Sequence, residues 1–420
     1  MKLTEKQQTI VEIEKHTDNR KIACLASAGS GKSTVIENRV AHLVKKEKIK
    51  PSRIALFSFS RAATKEIRDR LKDKLGYGKF SELTVSTLHA FCYHVIQDHW
   101  NPKKKTDINV ISANQLAKAV ASMISNADED DDYLECEAGV YIEELGSALK
   151  GNRKPEFSPE YKALDSVVRD WMKENDLYLF DDLLFMTYEL FMKRPDLKEE
   201  YRDKFDYWFI DEAQDTTKIM IDIIEILLRE DTYLLLSFDI VQSLYQFAGA
   251  DPFNLMNFVD RVGAEIRQLD ETFRFGPTIA ELADMIVTNI DLDERYKMFT
   301  STQQRSNAPQ YIPSGHHSMN RIDIAEDIAK KINEGVPLQD ISVLSRTNKP
   351  LVEYQKELAK HGIPSKMKFG YIWNRKEIKL LLTIIRLMRR NNSEDLLYLL
   401  KTLPGKYNLD QKRLKMIRSH

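Results

Sequence analysis

Cysteine is scarce. The 420 residues contain three, Cys24, Cys92 and Cys136, set far apart with no Cys-x-x-Cys pair. Such spacing argues against a disulfide scaffold and against a cysteine zinc site, and it points to a reducing, cytoplasmic setting. Long apolar runs are missing too. No stretch reaches the ~18 residues of a membrane span, so no membrane partner is expected. The opening Met1-Lys2-Leu3-Thr4-Glu5-Lys6-Gln7-Gln8 has no signal-peptide core. Charge of one sign is also lacking: Lys plus Arg is 63, Asp plus Glu is 64, and the net charge is −1. A balanced total neither demands nor forbids nucleic acid, because a binding groove needs only local positive potential. There is no internal repeat and no low-complexity linker. What is present is 42% hydrophobic and 30% charged residues, a composition that builds globular cores. At ~100–200 residues per domain, the length predicts two to four domains.

Short apolar runs at 22–26, 54–57, 207–210 and 233–237 alternate with helical patterns at 33 to about 46 and 64–75. Gly76 and Gly78 stop the second of these. Alternation of this kind predicts an α/β class with mainly parallel sheets. The composition changes after Trp100. Lys103-Lys104-Lys105 opens a stretch, 105–190, that reads as a helical insertion. Within it Asp128-Glu129-Asp130-Asp131-Asp132 reads as a solvated loop, because like charges repel. Further on, Ile341-Ser342-Val343-Leu344 reads as a strand. The segment 376–390 reads as a helix with Ile378, Leu381, Leu382, Ile385 and Met388 on one face.

The most informative stretch is Ala26-Ser27-Ala28-Gly29-Ser30-Gly31-Lys32-Ser33-Thr34, which follows a strand and opens a helix. Small residues let the backbone wrap so that successive N–H groups of residues 28–34 face phosphate oxygens, and the helix N-terminus adds positive dipole character. Lys32 is placed to reach the β and γ phosphates of ATP, and the Ser33 hydroxyl to ligate Mg²⁺. The pattern usually begins with Gly; here Ala26 holds that position. An acidic partner follows in Phe209-Ile210-Asp211-Glu212-Ala213-Gln214-Asp215. A strand ending in Asp-Glu sets two carboxylates at the C-terminal edge of a sheet. Asp211 is expected to contact Mg²⁺, and Glu212 to act as the base that orients the attacking water. Together these motifs predict a P-loop NTPase.

Other motifs surround these two. Leu3-Thr4-Glu5-Lys6-Gln7 precedes the loop. Phe59-Ser60-Arg61-Ala62-Ala63-Thr64-Lys65-Glu66, Ser86-Thr87-Leu88-His89-Ala90-Phe91 and Phe180-Asp181-Asp182-Leu183-Leu184 follow it. Gln242-Ser243-Leu244-Tyr245-Gln246-Phe247-Ala248-Gly249-Ala250 and Leu269-Asp270-Glu271-Thr272-Phe273-Arg274 complete the series. In order and wording this resembles the UvrD/PcrA/Rep family of superfamily 1A DNA helicases, along essentially the whole chain. The resemblance implies RecA-like parallel-sheet lobes with helical insertions: lobe 1A at 1–104 and 191–267, insertion 1B at 105–190, the start of lobe 2A at 268–371 and the start of insertion 2B at 372–420. It implies an ATP-driven motor that steps 3′ to 5′ on single-stranded DNA and unwinds 3′-tailed duplex, in DNA repair or replication. Residue by residue, it implies that Gln7 reads adenine, that Gln242 senses the γ-phosphate, and that Arg274 is an arginine finger from the second lobe. It also implies that Phe59, Ser60, Arg61, Thr87, His89, Tyr245 and Phe247 face the DNA strand, the aromatics by stacking on bases.

The wording departs from the family in places. Arg61-Ala62 replaces Asn-Lys, Asp239-Ile240-Val241 replaces a longer acidic cluster, Ala248 replaces Arg, and Thr272-Phe273 replaces Asn-Tyr. These changes touch DNA contact and coupling and leave the phosphate chemistry intact. Residues 343–348 and 371–378 resemble the first part of the second lobe and the start of its insertion. The family's returning part, with a second arginine for ATP, has no counterpart before His420. Two expectations follow: a motor in its own right, or an ATP-gated nucleic-acid-binding subunit that needs a protein partner completing lobe 2A, or a missing C-terminal region, to unwind.

Overall fold

The computed structural model describes residues 3–13, 20–99, 108–124, 131–151, 159–243, 250–287, 300, 301, 303, 309, 317–367 and 376–389. The chain forms two compact units, Met1–Pro309 and Gln310–His420.

The first unit opens with α1 (Glu5–Val11), β1 (Lys21–Ala26), α2 (Lys32–Lys45), β2 (Ile54–Ser58), α3 (Arg61–Leu75), α4 (Tyr77–Ser81), β3 (Thr84–Ser86) and α5 (Leu88–His99). A mainly helical stretch follows: β4 (Asn109–Ile111), α6 (Ala113–Ile124), α7 (Asp131–Lys150), α8 (Pro159–Glu174), β5 (Leu177–Leu179), α9 (Phe180–Lys193) and α10 (Pro195–Lys204). The chain then returns with β6 (Tyr207–Asp211), α11 (Lys218–Leu227), β7 (Tyr233–Phe238), α12 (Pro252–Arg261), β8 (Glu265–Leu269), β9 (Glu271–Thr272), α13 (Pro277–Val287) and β10 (Thr300–Ser301).

Six strands form one parallel sheet in the order β3-β2-β6-β7-β1-β8. Every residue of β2, β6 and β7 is buried. Strands covered on both faces need apolar residues at consecutive positions, which is why these segments read as unbroken apolar runs. Alternate side chains then serve opposite faces. Ala23, Leu25, Phe57, Trp208, Ile210, Leu234 and Leu236 pack with α5, α9, α10, α11 and α12. Ile22, Cys24, Ile54, Leu56, Tyr207, Phe209 and Leu235 pack with α1, α2 and α3. The result is a helix–sheet–helix sandwich, the α/β class expected. Short β3 and polar β8 (Glu265, Arg267 and Gln268 among five residues) escape a search for apolar runs.

The stretch between α5 and β6 has a small core of its own. Leu116, Val120, Tyr141, Ile142, Leu145, Val168 and Met172 from α6, α7 and α8 pack with Leu179 of β5, and β4 pairs parallel with β5. The acidic run departs from the loop read in the sequence at its end: Asp131 and Asp132 open α7, while 128–130 lie outside the described residues. Acidic residues suit the positive end of a helix dipole, so clustered charge here favours a helix start.

In the second unit α14 (His317–Asn333) and α15 (Asn348–Lys360) enclose a minor core of Ala325, Ile328 and Leu358, with Ile341 and Val343 against it. A third helix, α16 (Lys376–Arg389), accounts for the apolar face read at 376–390. The strand expected at 341–344 is not formed among the described residues: 341–345 belong to no ladder, and Leu344 is 91% exposed. An apolar run becomes a strand only where a neighbour takes its backbone hydrogen bonds.

Candidate functional site

Parallel strands send all their C-terminal ends to one edge, and the sequence motifs follow those ends. The phosphate loop follows β1, Phe59 to Arg61 follow β2, and Thr87 and His89 follow β3. Glu212 follows β6, Asp239 and Gln242 follow β7, and Asp270 to Arg274 follow β8. Residues more than two hundred positions apart thus become neighbours.

The loop is tied on its outer side. Ser27 donates its backbone N–H (3.1 Å) and its hydroxyl (3.2 Å) to the Leu269 carbonyl. The Ser30 hydroxyl donates to Ser27 O at 2.8 Å. Thr272 donates its hydroxyl to Ala28 O at 2.7 Å, and the Phe273 N–H donates to Gly29 O at 3.0 Å. Gly29 has φ +77, and a Cβ there would lie 2.6 Å from Arg274 Cβ and 2.8 Å from Thr272 Oγ1. Gly31 has φ +85, and a Cβ would lie 2.7 Å from Gln7 Nε2. Both glycines are required by close approach as well as by conformation.

Gln7 caps α1 reciprocally with Thr4, accepting the Thr4 N–H at 3.0 Å, and donates through Nε2 to Ser30 O at 2.9 Å. One amide N–H and one acceptor lone pair remain for a base. Gln7, Gly29, Gly31, Lys32, Ser33, Thr34, Asp211, Glu212, Gln242, Phe273 and Arg274 line one cavity of about 510 Å³. The nucleotide residues named from sequence are thereby brought together, with Ala28 and Ser30 holding the loop from behind. Phe273, which also lines the cavity, was quoted only as part of a motif.

Ser33 donates its hydroxyl to Asp211 Oδ2 at 3.1 Å, and Lys32 Nζ lies 3.5 Å from Glu212 Oε2. Asp211 Oδ1 is buried with no partner among the described residues. An unmet carboxylate oxygen beside a hydroxyl is the hard-oxygen donor set that Mg²⁺ accepts, the remaining positions being filled by water and phosphate. A Mg²⁺ ion therefore fits Ser33 and Asp211. Burial, then the neighbouring Glu212 charge, raises the Asp211 pKa to about 6, against the pull of Ser33 and Lys32. Asp215 is raised to about 6 by burial and Glu212. Glu212 itself holds a left-handed backbone at φ 53, an uncommon state for a residue with a Cβ. Asp239 is buried, and burial raises its pKa also.

On the other half of the edge the contacts change character. Ser60 caps α3 by accepting the Ala63 N–H at 3.1 Å, and Thr87 caps α5 by accepting the Ala90 N–H at 3.2 Å. The Arg61 guanidinium stands 6.0 Å from the centre of the Phe180 ring, and His89 meets the same ring edge-on at 6.3 Å. Burial, then Lys150, pushes the His89 pKa down to about 4, so its ring is neutral at physiological pH. Phe59 is half-buried, and Phe180 is 44% exposed. Tyr245 and Phe247 lie outside the described residues. Buried polar residues that gained no role from sequence include Gln214, Asp215 and Asp239. Their signal was position alone, inside motifs whose neighbours drew attention.

A six-stranded parallel sheet with a Gly-Lys-Ser loop after β1 and an Asp-Glu pair after β6 defines a P-loop nucleotide-binding protein. Residues 3–263 match the UvrD/REP helicase N-terminal domain, and residues 268–417 match the UvrD-like helicase C-terminal domain. The chain belongs to the UvrD/REP helicase family. Among curated relatives, the ATP-dependent DNA helicase PcrA of Staphylococcus aureus is 26% identical over 387 residues, covering 88% of this chain and 52% of the relative. The PcrA of Staphylococcus epidermidis gives the same figures, 26%, 387 residues, 88% and 52%. That of Leuconostoc citreum is 25% identical over 380 residues, covering 84% of this chain and 49% of the relative. The chain spans about half the length of these relatives. Among the described residues no helix is long and apolar enough to cross a membrane.

Proposed function

We propose that this chain is an ATP-dependent DNA motor that hydrolyses ATP in the cavity around Lys32 and uses it to move 3′ to 5′ on single-stranded DNA, opening 3′-tailed duplexes. The observation that carries the reading is the convergence of Lys32, Ser33, Asp211 and Glu212 within 3.5 Å contacts at one sheet edge. The loop N–H groups and Lys32 hold the triphosphate. Ser33 and Asp211 hold Mg²⁺, which neutralises phosphate charge when bound. Glu212 orients the attacking water and accepts its proton. Arg274 stabilises charge on the transferred phosphoryl group, a contribution of ~10³–10⁵ in rate for residues of that type. Gln7 uses its remaining donor and acceptor on adenine, and Gln242 reports the γ-phosphate.

The strand is held by Phe59, His89, Tyr245 and Phe247 through stacking and by Ser60, Arg61 and Thr87 through the sugar-phosphate backbone. A neutral His89 fits stacking rather than phosphate pairing. The lobe boundaries follow the same reading: 1A at 1–104 and 191–267, 1B at 105–190, 2A from 268 and 2B from 372. A partner segment for lobe 2A belongs to it as well, supported by residues 341–345, which join no ladder and leave Leu344 exposed. So does a cytoplasmic setting, in which buried Cys24 and Cys92 stay reduced thiols. The test is strand displacement with ATP on duplexes carrying a 3′ or a 5′ tail. Displacement restricted to the 3′-tailed substrate and lost in Lys32→Ala supports the motor. Binding of the tail with no displacement leaves an ATP-gated binding subunit instead.

A further inference from the structure

Strands β6 and β7 occupy the middle of the sheet, with β2 and β3 on one side and β1 and β8 on the other. Glu212 and Gln242, which follow these two central strands, share no direct hydrogen bond among the described residues. Gln214 stands between them, 3% exposed. Its amide nitrogen donates to Glu212 Oε2 at 2.7 Å, and its amide oxygen accepts the Asp239 N–H at 3.0 Å. The Asp239 carboxylate in turn accepts the Val241 N–H at 3.1 Å and Gln242 Nε2 at 2.6 Å. A continuous path of hydrogen bonds runs from Glu212 through Gln214 and Asp239 to Gln242.

Two further ties fasten the same segment to the motif that follows β7. Ser243 donates its hydroxyl to the Gln214 carbonyl at 3.4 Å, and Thr217 pairs with Ala250 in an antiparallel bridge. Residues 243 and 250, which flank the motif carrying Tyr245 and Phe247, are therefore both anchored just past Glu212. Glu212 depends on such partners. Its backbone is left-handed, its side chain is 31% exposed, and Oε2 is shared between Gln214 and the Lys32 ammonium. The chemistry of the link suits an amide, which offers a donor to a carboxylate at one atom and an acceptor to a backbone N–H at the other.

We propose that Gln214 is a positioning residue that transmits DNA engagement at the segment after β7 to the Glu212 carboxylate, aiming the base at water when a strand is bound. The proposal rests on the DNA-driven reading of the site. Displacement of Ser243 or Gln242 pulls on Asp239 and on the Gln214 backbone. Gln214 then shifts Glu212 Oε2 relative to Lys32. The amide acts on the reaction through Glu212 and does not touch ATP.

The experiment measures ATP turnover of the 420-residue chain with and without oligo(dT), for wild type, Gln214→Met and Gln214→Glu. Met keeps the length and loses both bonds; Glu keeps the acceptor and loses the donor. Mant-ADP binding and thermal unfolding monitor the loop and the fold. Both variants are expected to lose about tenfold in the oligo(dT) acceleration factor while the KM for ATP moves less than about threefold, a change in the rate term rather than in ground-state binding. Combining Gln214→Met with Gln242→Ala is expected to cost no more acceleration than the larger single change, as for two residues on one path. Full acceleration in Gln214→Met, a proportional loss of basal and stimulated turnover, or additive losses in the double variant would overturn the relay while leaving the motor standing. A wild-type chain indifferent to oligo(dT) overturns the motor and the relay together.

Discussion

Around the nucleotide cavity, side chains are tied by short directional bonds: Ser33 to Asp211, Gln7 to Ser30, Thr272 to Ala28. Around Phe180, on the other half of the same sheet edge, Arg61 and His89 meet an aromatic ring through broad contacts near 6 Å. The difference suits the two tasks proposed for this edge. Phosphoryl transfer requires donors and acceptors at fixed positions, because charge develops at particular atoms. A track of varying bases is better met by ring faces, which accept any base. One sheet supplies both because its strands end at a common edge.

The comparison breaks most visibly at Lys32. Lys32→Ala is expected to lower ATP turnover by about 10³-fold or more while thermal unfolding stays cooperative, because a transition-state charge contact is removed from a preserved sandwich. Unchanged turnover would move the chemistry elsewhere. Gly29→Ala comes next. Its Cβ would meet Arg274 Cβ and Thr272 Oγ1 within 2.8 Å at a positive φ. The loop must shift, so mant-ADP affinity is expected to fall about tenfold or more and stability by about 1–3 kcal/mol. Retained affinity and melting temperature would contradict the outer splint of residues 272–274.

The stacking side predicts smaller, graded effects. His89→Ala is expected to raise the half-saturating oligo(dT) concentration about 5- to 100-fold, corresponding to ~1–3 kcal/mol per stacked base, with little change in the KM for ATP. An unaltered oligo(dT) titration would remove this ring from the strand-binding face.

The smallest effect is one of stability. The folded Asp211 pKa of about 6 lies above its ordinary 3.8, so the native chain binds that proton more tightly than the unfolded chain. The penalty is full above pH 6 and is relieved as pH falls from 6 toward 3.8. Without nucleotide or Mg²⁺, Asp211→Asn is expected to raise stability at pH 7.5 by about 1–3 kcal/mol, and the gain should shrink at pH 5. A destabilised variant at pH 7.5 would show that the Ser33 bond outweighs burial.

Legibility in the sequence followed locality. The phosphate loop could be read because strand, turn, lysine and helix are contiguous from Ala26 to Thr34. β6 and β7 could be read because burial on both faces forces unbroken apolar runs. Edge strand β8 could not, since its polar residues carry no apolar run. Gln214 was quoted inside a motif without a role, because its donor and acceptor partners, Glu212 and Asp239, meet only when β6 and β7 pair. The run at 341–344 shows the converse: an apolar pattern permits a strand, and a neighbour has to complete it.

The linear sequence determined the chemistry available to this chain. Lys32, Ser33, Asp211 and Glu212 stand at strand ends, where short-range patterning suffices to place them. Only the tertiary structure decided which residues share an edge. Strand order brought Thr272 against Ala28, set Gln7 on Ser30 and threaded Gln214 between Glu212 and Asp239. Apart from the local Gln214–Glu212 bond, those contacts depend on the packing of two cores across one sheet, a property of pairs of residues distant in the chain that no local pattern encodes.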